Sequence, residues 1–202
     1  MASTRKIVVF DRISADGCFS AADGALDWAV PDADLDKGAA GKLGDSDAML
    51  FGRRTFDMFE SFWPNVLKDP ATAPDPHSPG RHTPEMRALA VWINAAKKIV
   101  FSTTRKEATW TNSELRRDIV PREIEALKSQ PGKTIMLFGS GTVASRLSEL
   151  GLIDEYQFVV CPVFLGGGRP LVSGMSRRLS LELLEARPFT SGNVMLRFTP
   201  KR

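Results

Sequence analysis

At 202 residues the chain is long enough for one sizeable hydrophobic core and short for two, so a single domain spanning 1–202 is expected. Hydrophobic residues make up 43% and charged residues 25%, the balance of an ordinary globular protein rather than a disordered or fibrous one. The net charge is +3, but the 27 bases are interspersed with 24 acids and form no like-charge block, which argues against a nucleic-acid surface.

Met1 to Phe10 lacks the apolar centre of a signal peptide, and no apolar stretch approaches the roughly 18 residues of a membrane span. A cytoplasmic protein without a membrane segment is therefore expected. Cys18 and Cys161 make neither a CxxC pair nor a four-ligand zinc set and read as small buried hydrophobes. The first apolar run, Ile7 to Phe10, is continuous rather than alternating, as in a strand buried on both faces. Behind it comes Ser14-Ala15-Asp16-Gly17, in which Asp before Gly is a turn former. Asp32, Asp34 and Asp36 read as helix N-terminal capping residues.

The second run, Ala48 to Phe51, leads into Gly52-Arg53-Arg54-Thr55 and a helix carrying Phe56, Phe59 and Phe62. Arginines at a helix N-terminus work against the helix dipole, and a bound phosphate or an ion pair to Asp57 or Glu60 would account for them. Six prolines between Trp63 and Pro84 predict a long surface loop, neither helix nor central strand. His77 and His82 lie in that loop without a third ligand nearby, so no metal site is expected. Met86, Leu89, Ala90 and Ile93 then repeat at helical spacing.

The third run, Ile99 to Phe101, opens into Ser102-Thr103-Thr104-Arg105, whose hydroxyls and guanidinium suit a phosphomonoester or a plain polar loop. The fourth, Ile135 to Phe138, continues as Gly139-Ser140-Gly141-Thr142-Val143 and a helix with Val143, Leu147 and Leu150 on one face. Glycines there let a ligand approach the backbone, and the free amides of the first helical turn favour phosphate. Ser140 or Thr142 could cap that helix. The fifth run, Phe158 to Cys161, is followed by the turn Gly166 to Gly168. Leu179 to Leu183 and Val194 to Phe198 alternate like an antiparallel hairpin closing one edge of the sheet. Strand, helix and strand in repetition predict a three-layer αβα fold with a mostly parallel central sheet and an antiparallel C-terminal edge hairpin. The three junctions after its second, third and fourth apolar runs then fall at one edge, outside the carboxyl ends of the strands, where open α/β sheets bind ligands.

In its order of motifs the chain resembles the dihydrofolate-reductase-like superfamily, specifically the reductase (RibD C-terminal) domain family of bacterial riboflavin biosynthesis. The matching pieces are Ser14 to Gly17, Leu50 to Thr55, Lys98 to Ser102, Phe138 to Thr142, Gly151 to Tyr156, Pro162 to Gly168 and Phe189 to Val194. The resemblance implies bound NADPH and hydride transfer to a small-molecule substrate, with a homodimer as the expected assembly. It implies pyrophosphate contacts at Arg53, Arg54 and Thr55 and at Gly139, Ser140, Gly141, Thr142 and Val143, with Gly52 and Phe138 also among the cofactor-binding residues. It sets the adenosine 2′-phosphate near Ser102, Thr103 and Arg105, and the nicotinamide beside Asp16 and Gly17, with Asp16 as candidate proton donor. Two departures stand out. The chain has no HxE or PCxxC zinc deaminase signature. Phe138 also stands where the riboflavin enzyme carries a glutamate for its pyrimidine, which an apolar ring cannot replace. A non-catalytic NADP-binding protein that kept the fold is the alternative reading.

Overall fold

The computed structural model describes residues 4–68 and 83–201, excluding the side chains of 39–43. Among the described residues, ten strands and five helices follow one another: β1 (Ile7–Ser14), β2 (Cys18–Ala21), α1 (Ala33–Leu43), β3 (Ser46–Gly52), α2 (Arg53–Lys68), α3 (Pro84–Ala95), β4 (Lys97–Phe101), β5 (Ser113–Arg116), α4 (Pro121–Ser129), β6 (Thr134–Phe138), α5 (Gly141–Glu149), β7 (Glu155–Cys161), β8 (Gly168–Pro170), β9 (Leu181–Pro188) and β10 (Val194–Pro200).

Eight strands form one sheet in the order β5-β4-β3-β6-β1-β7-β10-β9. From β5 to β7 all neighbours are parallel, while β10 and β9 join as an antiparallel edge hairpin. β2 and β8 make a separate two-stranded ribbon. The fold is α/β, as the sequence predicts.

The continuous apolar runs have a simple cause. Ile7 and Val9 of β1, Ala48 and Leu50 of β3, and Ile135 and Leu137 of β6 pack toward α4 and α5, with Ile124, Leu127, Val143 and Leu147. The intervening residues, Val8, Met49, Phe51 and Met136, pack on the opposite face with Phe56 of α2 and Ile93 of α3. Each strand residue points to alternate faces, and here both faces are dry.

The sequence reading of 63–84 as a loop needs correction at both ends. α2 runs through Pro64 to Lys68, and Pro84 opens α3, where the Thr83 hydroxyl accepts from the Met86 amide at 3.1 Å. An internal proline costs a helix about 3 kcal/mol. Phe62 and Val66, buried against Ala90, each return roughly 1.5–3 kcal/mol, so tertiary burial carries the helix past Pro64. His77, His82 and the prolines at 70, 74, 76 and 79 lie outside the described residues.

Candidate functional site

The β6–α5 junction is the centre of the site. After Phe138 the chain turns through Gly139 (φ +51) and Ser140 (φ +60) into α5. Serine in a left-handed conformation is uncommon, so something must hold it there. Its hydroxyl accepts the Gly52 amide at 2.6 Å and donates to the Thr55 hydroxyl at 3.0 Å. Ser140 thus occupies the N-cap position, yet its side chain bonds no amide of α5, contrary to the capping role expected from sequence. It ties two junctions together instead. A Cβ at Gly139 would come within 2.9 Å of the Thr55 hydroxyl oxygen, and one at Gly141 within 3.0 Å of the Leu171 carbonyl oxygen. The small residues are required by close approach on both sides; the Val143 and Ala144 amides bond the Ser140 carbonyl at 2.7 and 3.0 Å, which leaves the Gly141 and Thr142 amides at the helix start without a preceding carbonyl of their own helix.

Around this turn opens a cavity of about 1450 Å³. That exceeds the roughly 300–1,000 Å³ of a site for one small ligand. Its walls include Gly52, Arg53, Arg54 and Thr55 after β3, Ser102 and Thr103 after β4, and Phe138 through Val143 after β6. Three junctions far apart in sequence therefore meet at one sheet edge. The parallel pairing of β3 with β4 and β6 brings their carboxyl ends together.

Three expected residues lie elsewhere. Asp16 and Gly17 do not line the cavity. The Asp16 carboxylate accepts from the Ser14 hydroxyl and from the Leu165 and Gly166 amides at 3.2 and 2.9 Å. The Ser14 bond, then that of Leu165, pulls its pKa below the ordinary carboxylate value, so Asp16 sheds rather than holds a proton. It clasps the turn at 165–166. Gly17 (φ +82) closes the preceding turn by donating to the Ser14 carbonyl at 2.9 Å. Arg105 also points away, its guanidinium paired with Asp57 and Glu60 and lying 4.7 Å over the Phe56 ring. The arginine facing that junction is Arg117, which lines the cavity and donates to the Ser102 and Arg105 carbonyls at 3.2 and 2.6 Å.

Charge is unevenly spread over the walls. Arg53, paired with Asp57 at 3.2 Å, and the exposed Arg54 flank the α2 start, while Arg117, Arg146 and Arg169 complete a basic rim. Deeper in, Phe10, Trp28, Phe59, Trp63 and Phe138 line an aromatic lobe, with ring centroids of Phe10 and Phe59 6.1 and 5.7 Å from Phe138. One ion pair, Arg12 with Asp36 at 2.9 Å, sits in the wall of this lobe. Asp32 caps α1, accepting the Leu35 amide at 2.9 Å as its sequence context suggests.

Sequence reasoning missed Arg12, Phe19, Ser20, Arg117 and, above all, Asp11. Asp11 is 8% exposed, lines the cavity and accepts the Gly139 amide at 2.9 Å through Oδ1. Burial holds its carboxyl well above the ordinary range, and the Gly139 bond only partly offsets this. A signal was available: a carboxylate directly behind the apolar run Ile7 to Phe10.

The mostly parallel sheet with its antiparallel edge hairpin is a dihydrofolate-reductase-like fold. Dihydrofolate reductase of Enterococcus faecalis shares the fold at a TM-score of 0.61, with 12% identity over 98% of this chain and 97% of that one. A protein of Shewanella sp. PV-4, provisionally named for riboflavin biosynthesis, reaches a TM-score of 0.72 at 23% identity, covering 98% of this chain and 99% of its own. The RibD C-terminal domain model matches residues 5–195, and the chain belongs to that family. YyaP of Bacillus subtilis strain 168, named as an uncharacterized protein, is 30% identical over 192 residues, 95% of this chain and 93% of YyaP.

Proposed function

We propose that the chain is an NADPH-dependent reductase acting on a small, flat substrate with a carbonyl or imine bond. The observation that carries this reading is the convergence of three junctions, those after β3, β4 and β6, on one cavity roomy enough for a dinucleotide and a second molecule. The residues fit the cofactor. The Gly141 and Thr142 amides at the start of α5 and the guanidinium of Arg54 suit a pyrophosphate, and the close approach at Gly139 and Gly141 leaves no space for larger side chains. Ser102, Thr103 and Arg117 suit a 2′-phosphate. NADPH, when bound, supplies the hydride.

The protein's own contribution is to hold and desolvate. The aromatic lobe around Phe138 stacks on a planar ring and excludes water from it. The Arg12–Asp36 pair offers that lobe a charged wall. Phe138 cannot accept the N–H bonds of the riboflavin-pathway pyrimidine, so neither that compound nor dihydrofolate is the expected substrate. We also infer a homodimer, supported by the sheet edge β9, where Leu183 and Leu184 are 54% and 50% exposed.

Fluorescence titration with NADPH and NADH tests the cofactor. Wild type should prefer NADPH tenfold to hundredfold, the ~1.5–3 kcal/mol of charge-assisted bonds to one phosphate. Gly141→Asp should abolish binding, and Arg54→Ala, which breaks no ion pair among the described residues, should weaken it about tenfold. Equal affinities across proteins and cofactors would refute the assignment.

A further inference from the structure

The cavity wraps around the end of the sheet. Val143 of α5 lines it on the face where Val9 packs, and Phe10, Leu35, Phe59 and Phe138 line it on the other. The aromatic lobe therefore lies across the sheet from the α5 start. β6 stops at Phe138, the register partner of Phe10, and Arg12 follows two residues on along the same face of β1.

Arg12 is held in place there. Its Nη1 donates to the Val30 carbonyl and its Nη2 to Asp36, both at 2.9 Å. The same carbonyl accepts from Nδ2 of the fully buried Asn193 at 2.9 Å, so the β9–β10 turn fixes the segment that orients the guanidinium. Arg12 Nε has no partner among the described residues, and unlike Arg116 Nη1 it is not sealed from solvent. One donor of a fixed cation thus stays open in the cavity wall. The rings beside it compete little for an acceptor: phenylalanine has no donor, and Trp28 Nε1 is committed to the Ala25 carbonyl at 3.1 Å.

We propose that the lobe takes an unphosphorylated, planar aromatic carbonyl compound, its rings among Phe10, Trp28, Phe59 and Phe138 and its carbonyl oxygen accepting a hydrogen bond from Arg12. The proposal rests on the cofactor occupying the three junctions. Charge decides the class. Arg12 is already balanced by Asp36, and Glu85 of α3 adds a second acid to the wall on this side. A phosphate in the lobe would lose its water to apolar rings and meet no unpaired cation, whereas a neutral carbonyl needs a single donor. The other arginines of the wall stand at the rim, beside the junctions that suit the cofactor. The planes of Phe10 and Phe59 are inclined by 69° and 36° to that of Phe138, which gives a flat guest both ring edges and ring faces to pack on.

Calorimetric titration of the NADP+-saturated protein tests this with fluorenone, a planar aromatic ketone, with fluorene, the same rings without the oxygen, and with uridine monophosphate, a phosphorylated pyrimidine. Fluorenone should bind at one site per chain, about tenfold tighter than fluorene, the worth of one charge-assisted hydrogen bond. Uridine monophosphate should bind more weakly than either. Arg12→Leu should bring fluorenone down to the affinity of fluorene, and Trp28→Ala should weaken both several-fold, with NADP+ affinity kept in each variant. The wild-type comparison of fluorenone with fluorene decides the role of Arg12 even where Arg12→Leu fails to fold. Equal affinities for those two probes, no binding of fluorenone, or uridine monophosphate binding as tightly as fluorenone would each overturn the proposal while leaving the cofactor assignment standing. Failure of NADP+ and NADPH to bind the free protein would overturn the cofactor reading instead, and fluorenone titrated into that free protein still decides the lobe.

Discussion

Replacing Ser140 by Ala tests how far the site depends on one hydroxyl. That oxygen accepts the Gly52 amide at 2.6 Å and donates to Thr55 at 3.0 Å, so Ala removes both links between the α2 and α5 starts. Net losses of about 1 kcal/mol per bond give about 2 kcal/mol, including a half-buried Gly52 amide left unpaired. The alanine must also keep φ near +60. Ser140→Gly loses the same bonds but relieves roughly 1–2 kcal/mol of left-handed strain, against ~0.5–1 kcal/mol of added chain entropy. Glycine should therefore lie about 0.5–1 kcal/mol above alanine and still below wild type. At this chain length 1 kcal/mol is worth roughly 2–4 °C, so Ser140→Ala should melt about 4–8 °C below wild type. Urea unfolding gives the free energies, and NADPH titration of the folded variant should show several-fold weaker binding. A Ser140→Ala protein within about 0.5 kcal/mol of wild type would show that the clasp is not what holds the turn.

Two further outcomes are expected. Lys98 is fully buried, with Nζ donating to the carbonyls of Asn94, Ala96 and Thr111 at 2.9–3.0 Å and lying 4.4 Å over the Trp110 ring. Burial lowers its pKa to about 8, so at neutral pH the ammonium keeps the three protons those carbonyls need. Lys98→Met, which fills the stem but orphans three acceptors, should lose about 3 kcal/mol in urea unfolding, and a loss under about 1 kcal/mol would contradict the assignment. For the inferred dimer, light scattering should give twice the 22.2 kDa chain mass, falling toward it when Leu183 and Leu184 are both replaced by Lys. A wild-type mass equal to one chain would rule the dimer out.

Much of the site was legible because its chemistry is local. Phe138-Gly139-Ser140-Gly141 and Phe51-Gly52-Arg53-Arg54 each show a strand, small residues and a helix start within a few positions, and all of them except the core residue Phe51 reach the cavity wall. Which arginine serves the third junction was not local. Arg105 is drawn off by Asp57 and Glu60, more than 40 residues earlier, and Arg117 replaces it from beyond β5. The surroundings of Asp16 and Asp11 were not legible for the same reason. The exposed Asp16 is engaged by amides of residues 165 and 166, whereas Asp11, outwardly an interruption in a strand, is sealed beside Gly139.

The sequence by itself determined the alternation of buried strands and amphipathic helices, because a strand dry on both faces must be apolar at successive positions. It also determined the antiparallel edge hairpin and the small residues at the α5 start, where no Cβ fits. Tertiary structure alone decided that α2 continues past Pro64, that Ser140 clasps Gly52 rather than capping its own helix, and which carboxylate has its pKa pushed up by burial. Each of those outcomes depends on burial and partners supplied from distant parts of the chain, and desolvation and pairing energies exist only once those parts have met.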